Sequence, residues 1–340
     1  YSYGQHCDWV YGGNEGGSGG GGRPPGEHEG GGTSTTTRPT ENTCVANPIL
    51  VSSGKKYQHT IDQKTSNGLL TLDRFYHQEN ELKGLLGHKW GFGFEHELNV
   101  SLNNDGSYSS AALVSANGNH ITFYYYNDTN SWYTANGELA QFGFSSDSNR
   151  WIYQSKNKKS FNFNNKGQIL SIVNNKQLGV FYTYNADNLL EVINSSTGDS
   201  LAFSYNNSEL VQSVNFNGKQ FEYKYNENAL LQKLSLADGN YYDFEYNNKR
   251  YPSALTGKRI NGKPYANWAY NEDGRALYSE HADGAERTEF TYHENGSTTV
   301  KNELGKETTY HFRTINGKRL PTTMEGHEQG ACHAANKSYT

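Results

Sequence analysis

Residues 219–226 read Lys219-Gln220-Phe221-Glu222-Tyr223-Lys224-Tyr225-Asn226, and their pattern decides the fold. Phe221, Tyr223 and Tyr225 alternate with Gln220, Glu222 and Lys224, the period of two expected of a half-buried strand. The closing Tyr-x-Tyr-Asn returns along the chain. It appears as Phe161-Asn-Phe163-Asn164, Tyr182-Thr-Tyr184-Asn185, Phe203-Ser-Tyr205-Asn206, Phe244-Glu-Tyr246-Asn247 and Trp268-Ala-Tyr270-Asn271. Looser copies follow at Phe290-Thr-Tyr292-His293 and Tyr310-His-Phe312-Arg313. From Phe163 to Phe312 the steps are 21, 21, 20, 21, 24, 22 and 20 residues. A fixed period of this size marks a repeat architecture, in which each unit covers its neighbour's apolar face.

Each repeat holds two turns. The Asn after the doublet tolerates a left-handed backbone and bonds its own chain, so it starts one turn. The other is marked by Asn217-Gly218, Asp238-Gly239, Asn261-Gly262, Asp283-Gly284 or Asn316-Gly317. These dipeptides are strong hairpin signals, because a type I′ turn needs positive φ at both central positions. The expectation is one hairpin per repeat in a continuous antiparallel meander, without helices. Phe163, Tyr184, Tyr205, Tyr225, Tyr246, Tyr270, Tyr292 and Phe312 are expected to form an aromatic ladder, each ring stacking on its equivalents in neighbouring strands. Phe123-Tyr-Tyr125-Tyr126 and Phe142-Gly-Phe144 read as degenerate first copies, so the array is expected to span residues 121–340.

The remaining chain divides by composition. Residues 12–32 contain 12 Gly and two Pro, a flexible or polyproline-like spacer within an N-terminal arm, 1–43. Residues 44–120 show short strand-like runs without the doublet and are expected to cap the array. The whole chain is poor in aliphatics yet 14% aromatic, with 26 Tyr, which suits pleated sheets. Its net charge of −5 argues against a nucleic-acid partner. No run of about 18 apolar residues is present, so no transmembrane segment is expected. Of three cysteines, Cys7 and Cys44 are the candidate disulfide, with three unpaired thiols the alternative.

With these residues in hand, the chain resembles the RHS-repeat (YD-repeat) family of large bacterial surface and toxin-delivery proteins. Tyr270-Asn271-Glu-Asp-Gly274-Arg-Ala-Leu277 and Phe163-Asn164-Asn-Lys-Gly167-Gln-Ile169 match the repeat core most closely. The Gly position is Asn188, Glu209, Ala229 and Arg250 in other copies. Asn47-Pro48-Ile49 to Gly54-Lys-Lys-Tyr57, Arg74-Phe-Tyr76 and Gly87-His-Lys-Trp90 resemble the segment preceding such repeats. The resemblance implies an all-β antiparallel spiral, a curved or partial shell with an N-terminal β cap. It further implies a secreted or cell-surface location and an enclosed C-terminal effector of polymorphic-toxin type.

No catalytic constellation stands out, and neither a cofactor nor a metal is expected. Glu95-His96-Glu97 cannot converge on one ion if the three alternate along a strand. Asp62, Asp73 and Arg74 are expected to supply a buried ion pair. The favoured function is a non-enzymatic scaffold that partners other copies of itself or further repeats through an exposed strand edge, in self-assembly or a shell wall. The alternative is a carbohydrate-binding adhesin, with Tyr124, Trp132, Tyr133 and Trp151 as candidate polysaccharide-contacting aromatics.

Overall fold

The computed structural model describes residues 8–9, 43–45, 48–81, 83–115, 120–135, 137–315, 318–326 and 337–338. Within them the chain is β throughout, apart from a 3-10 turn at Ala282–Gly284. The spacer 12–32, Cys7 of the candidate disulfide, and Asn316-Gly317 lie outside the described residues. Thr43–Val45 pairs in parallel with Asp8–Trp9 and antiparallel with Ile49–Leu50.

The repeats build one 19-stranded sheet whose spatial order is the sequence order, from Phe142–Ser145 to Lys337–Ser338. Every neighbouring pair is antiparallel, and the first and last strands do not meet. The array begins at Phe142 and not at Ile121. The strands His120–Tyr126 and Ser131–Thr134 instead join His96–Leu102 and Tyr108–Ser115 in a separate four-stranded sheet. Phe123-Tyr-Tyr125-Tyr126 is therefore not a first repeat.

Alternation sorts the two faces. In Lys219–Tyr225, Phe221 and Tyr223 are buried while Gln220, Glu222 and Lys224 are exposed. Leu201, Val211, Val214, Leu231 and Leu234 share the buried side. Each such side chain contributes about 1.5–3 kcal/mol by area.

The Asn turns repeat atom for atom. The side-chain oxygen of Asn185 accepts the N–H groups of Asp187 and Leu189 at 3.0 and 2.9 Å, and Asn164, Asn206, Asn226 and Asn271 do the same. The third residue after each Asn adopts positive φ: Gly167 at 84°, Asn188 at 62°, Glu209 at 60°, Ala229 at 56° and Gly274 at 69°. The backbone keeps its left-handed turn even where the sequence lost its Gly. Asn217-Gly218 and Asn261-Gly262 have positive φ at both positions, as a type I′ turn requires. At Asp238-Gly239 only the glycine does, and a longer turn closes from Leu236 to Asn240.

The ladder is real, but rings do not make it. Successive doublets lie on alternate strands, so an intervening strand holds them about 9–10 Å apart, beyond stacking range. The contact between repeats is a hydroxyl-to-backbone bond. Tyr184 donates to Ile169 O at 2.9 Å, Tyr205 to Leu190 O at 2.6 Å, Tyr225 to Val211 O at 2.6 Å and Tyr246 to Leu231 O at 2.7 Å. Tyr270 reaches Leu255 O at 2.6 Å, and Tyr292 reaches Ala276 O at 2.7 Å. A β-bulge sits beside Phe163, Tyr184, Tyr205, Tyr225 and Tyr270. Leu190 faces Tyr184 at one bulge, and its carbonyl accepts the hydroxyl of Tyr205, the next tyrosine along. Phe163 and Phe312, the outer members of the set, carry no hydroxyl.

Tyr225→Phe keeps the ring but orphans the Val211 carbonyl, so it is expected to cost about 1–3 kcal/mol. The same change at Tyr278, whose hydroxyl has no such carbonyl partner, should cost far less. Urea unfolding midpoints compare the two.

Candidate functional site

A sheet this long buries one face only if something lies on it, and the chain's own residues 48–98 do so. This leader covers the array by crossing its Asn-turn side. Its contacts run broadly in reverse order, with Asn67 Nδ2 to Thr197 Oγ1 at 3.0 Å an exception. Thr298 Oγ1 donates to Val51 O at 3.0 Å, Ala276 N to Gly54 O at 2.7 Å, and Gln78 Nε2 to Gly274 O at 2.9 Å. Tyr76 donates its hydroxyl to Ser253 O at 3.0 Å and accepts from Leu255 N at 2.9 Å. His88 N reaches Ala229 O at 3.0 Å, Val211 N reaches Leu85 O at 2.9 Å, and Leu98 N reaches Gly167 O at 3.0 Å. The seam thus runs along turns from Gly167 to Thr298, and most of its bonds are main chain on at least one side.

Aromatic leader side chains fill the face between the turns. Trp90 is fully buried, packs 4.8 Å from Phe244 between ring centres, and donates from Nε1 to Tyr246 Oη at 2.8 Å. Phe92 meets Tyr223 edge-on at 5.6 Å, and Phe94 meets Phe203 at 5.4 Å. The expected buried pair is Arg74 with Asp62, at 2.8 and 3.2 Å; Asp73 pairs instead with His59 at 2.7 Å. Arg74 is fully buried, with its guanidinium carbon 5.3–5.5 Å from the ring centres of Trp90, Tyr242 and Phe244.

Beside Phe94 lies a cavity of about 240 Å³, lined by Glu95, His96, Gln168, Tyr182, Tyr184 and Asn188 among others. A neighbouring cavity of about 230 Å³ shares Phe94, His96 and Tyr182 with it. Glu95 does not project from a strand with Glu97. Its two oxygens accept Phe92 N at 2.5 Å and Leu85 N at 2.9 Å, which ties these two parts of the leader together. Burial lifts its carboxyl to about 7, while these N–H groups pull the other way. His96 bonds Ser115 Oγ at 2.8 Å and faces Phe161 edge-on; burial lowers its imidazole to about 4. Both groups are engaged in holding the leader. Among the described residues, no group of three or more His, Cys, Asp and Glu side chains is placed to hold a metal.

The four glycan candidates separate. Trp132 and Trp151 are 5% and 4% exposed and belong to a core with Phe142 and Tyr108, so neither presents a face to a sugar. Their polar neighbours in sequence hid the fact that two sheets close over them. Tyr124 is exposed and pairs across the small sheet with half-buried Tyr133. Gln78 escaped the sequence reading, and the seam roles of His88 and Glu95 were not seen there. The Trp90 motif was visible only as part of the resemblance.

A family described as "Domain of unknown function (DUF6531)" matches residues 46–123, the leader and part of the small sheet. No curated protein matches the chain. Among solved structures, a crystal structure of TcdB2-TccC3 aligns over 84% of this chain and 21% of that one, at 11% identity and a TM-score of 0.31. The Tc holotoxin pore of Photorhabdus luminescens aligns over 83% and 22%, at 10% identity and 0.26. The periplasmic gluconolactonase PpgL of Pseudomonas aeruginosa aligns over 79% and 82%, at 12% identity and 0.13. The chain spans about a fifth of the toxin chains it aligns with. At such TM-scores these likenesses carry no weight, and the fold rests on the strand order. Among the described residues no helix is long and apolar enough to cross a membrane.

Two changes probe the seam. Gly167 has φ 84°, and a Cβ there would run into the Leu98 carbonyl, whereas Gly198 has φ 91° and open space around it. Both Ala variants are expected to lose about 1–2 kcal/mol of stability to backbone strain, and Gly167→Ala more, with the excess reporting the seam in urea unfolding. His96 has a depressed native pKa, so its stabilisation is full above about 6.5 and is lost as pH falls towards 4. Raised Glu95 acts oppositely between about 4.5 and 7, favouring the folded state as pH falls. Unfolding midpoints should therefore fall less steeply from pH 6.5 to 4 in His96→Gln than in wild type.

Proposed function

We propose that this chain is a non-enzymatic structural scaffold of RHS type, the leader-bound part of a secreted or cell-surface β wall. The observation that carries this is the leader running back along successive turns of an open meander. Such a clamp fixes the spacing of every hairpin it touches, which a wall needs and a freely twisting sheet lacks. The polar outer face, with cross-strand pairs such as Lys233–Asp243 and Arg259–Glu245, suits a surface that meets water. The repeat resemblance supports an effector enclosed by the complete wall. The adhesin reading loses two of its four aromatics to the core.

Among the described residues, the strand Lys318–Gly326 pairs along its length with Glu307–Ile315, and with Lys337–Ser338 at Thr323 and Met324. A sheet edge of this kind accepts another strand. The partner is a further repeat of the same protein or a second copy of this chain. Sedimentation of the 340-residue chain over a wide concentration range is expected to show mass rising reversibly with concentration. Adding in trans a peptide copy of Glu307–Ile315, the strand that pairs with Lys318–Gly326, should compete for the edge and suppress that rise. A monomer at every concentration would remove the edge-pairing reading.

A further inference from the structure

Three cations meet where the leader crosses the array. Lys56 is fully buried at the start of Tyr57–Lys64, with Nζ 4.3 Å from the Trp268 ring centre and 3.4–3.5 Å from the carbonyl oxygens of Pro48 and Tyr57. Arg74 comes from the next leader strand. Lys258, 7% exposed on the array strand Gly257–Ile260, sets Nζ 4.4 Å from the Tyr242 ring centre and 5.0 Å from that of Tyr265. Arg74 shares the Tyr242 ring at 5.5 Å. The carboxylate within the cluster, Asp62, is bonded to Arg74, and among the described residues Lys258 makes no ion pair. Nη1 of Arg74 is itself buried without a hydrogen-bond partner among the described residues.

Placing several ammonium and guanidinium charges together, out of water, is strongly unfavourable. Aromatic faces offset part of this, about 2 kcal/mol each at best. The array supplies one of the cations and the leader the other two, so their repulsion acts across the seam and pushes it open. Neutral lysine amines remove that push without any rearrangement.

We propose that Lys56, Arg74 and Lys258 form a proton-operated catch: with the lysine amines neutral the leader is held on the array, and protonating Lys258 drives the two apart. The groups facing Lys258 are Lys56, Asp62 and Arg74 from the leader, Tyr242 from the strand before it and Tyr265 from the strand after it. Burial, and then the Arg74 charge, lower the Lys258 amine to about 7, against the pull of Asp62. Burial, and then the Lys258 charge, lower the Lys56 amine well below its ordinary value. Both are depressed bases, so the closed seam gains stability as pH rises from about 7 towards 10.5 and loses it on the way down. Glu95 acts in the opposite sense only below about 7.

Native-state hydrogen exchange on the full chain at pH 8.5 and 7, corrected for intrinsic rates, tests the catch. The amides of His88 and Leu98, which bond across the seam, are expected to open on the order of tenfold or more often at pH 7. Asn206, bonded within its own turn, should not follow. In Lys258→Met the pH difference at the seam should shrink by about tenfold, with protection at pH 7 raised above wild type. Lys56→Met with Lys258→Met should be nearly flat. If Lys258→Met does not fold, Lys258→Gln serves the same comparison. Equal seam opening at the two pH values in wild type, or an undiminished difference in the Lys258 variant, would overturn the proposal.

Discussion

A tyrosine hydroxyl held by the carbonyl of the previous hairpin is the bond on which this architecture depends. An antiparallel meander joins neighbours through its ladder, but the ladder fails where strands diverge into turns. There, beside the bulge, carbonyls such as Leu190 O and Val211 O accept a tyrosine hydroxyl, and a buried carbonyl left without a partner costs about 1–3 kcal/mol. The next tyrosine fills it, so each repeat completes the one before. This explains why Tyr recurs at the second doublet position, where Phe would serve as well for burial alone. It also explains the period: donor and acceptor are 14–16 residues apart at every link.

Linking hairpins does not decide how far the sheet twists, and here the leader enters. It touches the array mostly through backbone groups at the turns and through a few large rings on the face. Positive φ at Gly167, Asn188, Glu209, Ala229 and Gly274 turns the chain the same way each time, and the leader bonds several of these positions directly. The strained non-glycine residues are tolerated because the Asn side chain and, at Ala229, the leader's His88 N–H hold the turn in place. Order along the leader broadly mirrors order along the array, so a slip by one repeat would break most of these bonds together.

Most of the array was legible from its residues. Alternation named the buried face, the Asn marked the turns, and Asn-Gly pairs marked the opposite hairpins. Ring stacking was the wrong mechanism, because the period counts hairpins and each hairpin inserts a second strand between copies; six of the eight ladder residues reach the previous hairpin through a hydroxyl instead. The start of the array was misread at Phe123 for a related reason. Aromatic alternation reports a half-buried strand but not which sheet it joins, and the Trp132–Phe142–Trp151 core lies where the two sheets meet. The seam was the least legible part. Its partners are separated by up to 247 residues and meet through main-chain atoms, which every residue type carries.

One consequence follows from combining the two kinds of contact. Hydroxyl links act locally and are repeated, so losing one weakens a single joint. The seam is a single continuous contact, with its buried charges concentrated where Arg74 and Lys258 share Tyr242. A fold assembled this way has many weak, independent stitches and one place where charge acts on the leader as a whole. Stability is then spread along the array, while any change of state is confined to the leader's grip on it.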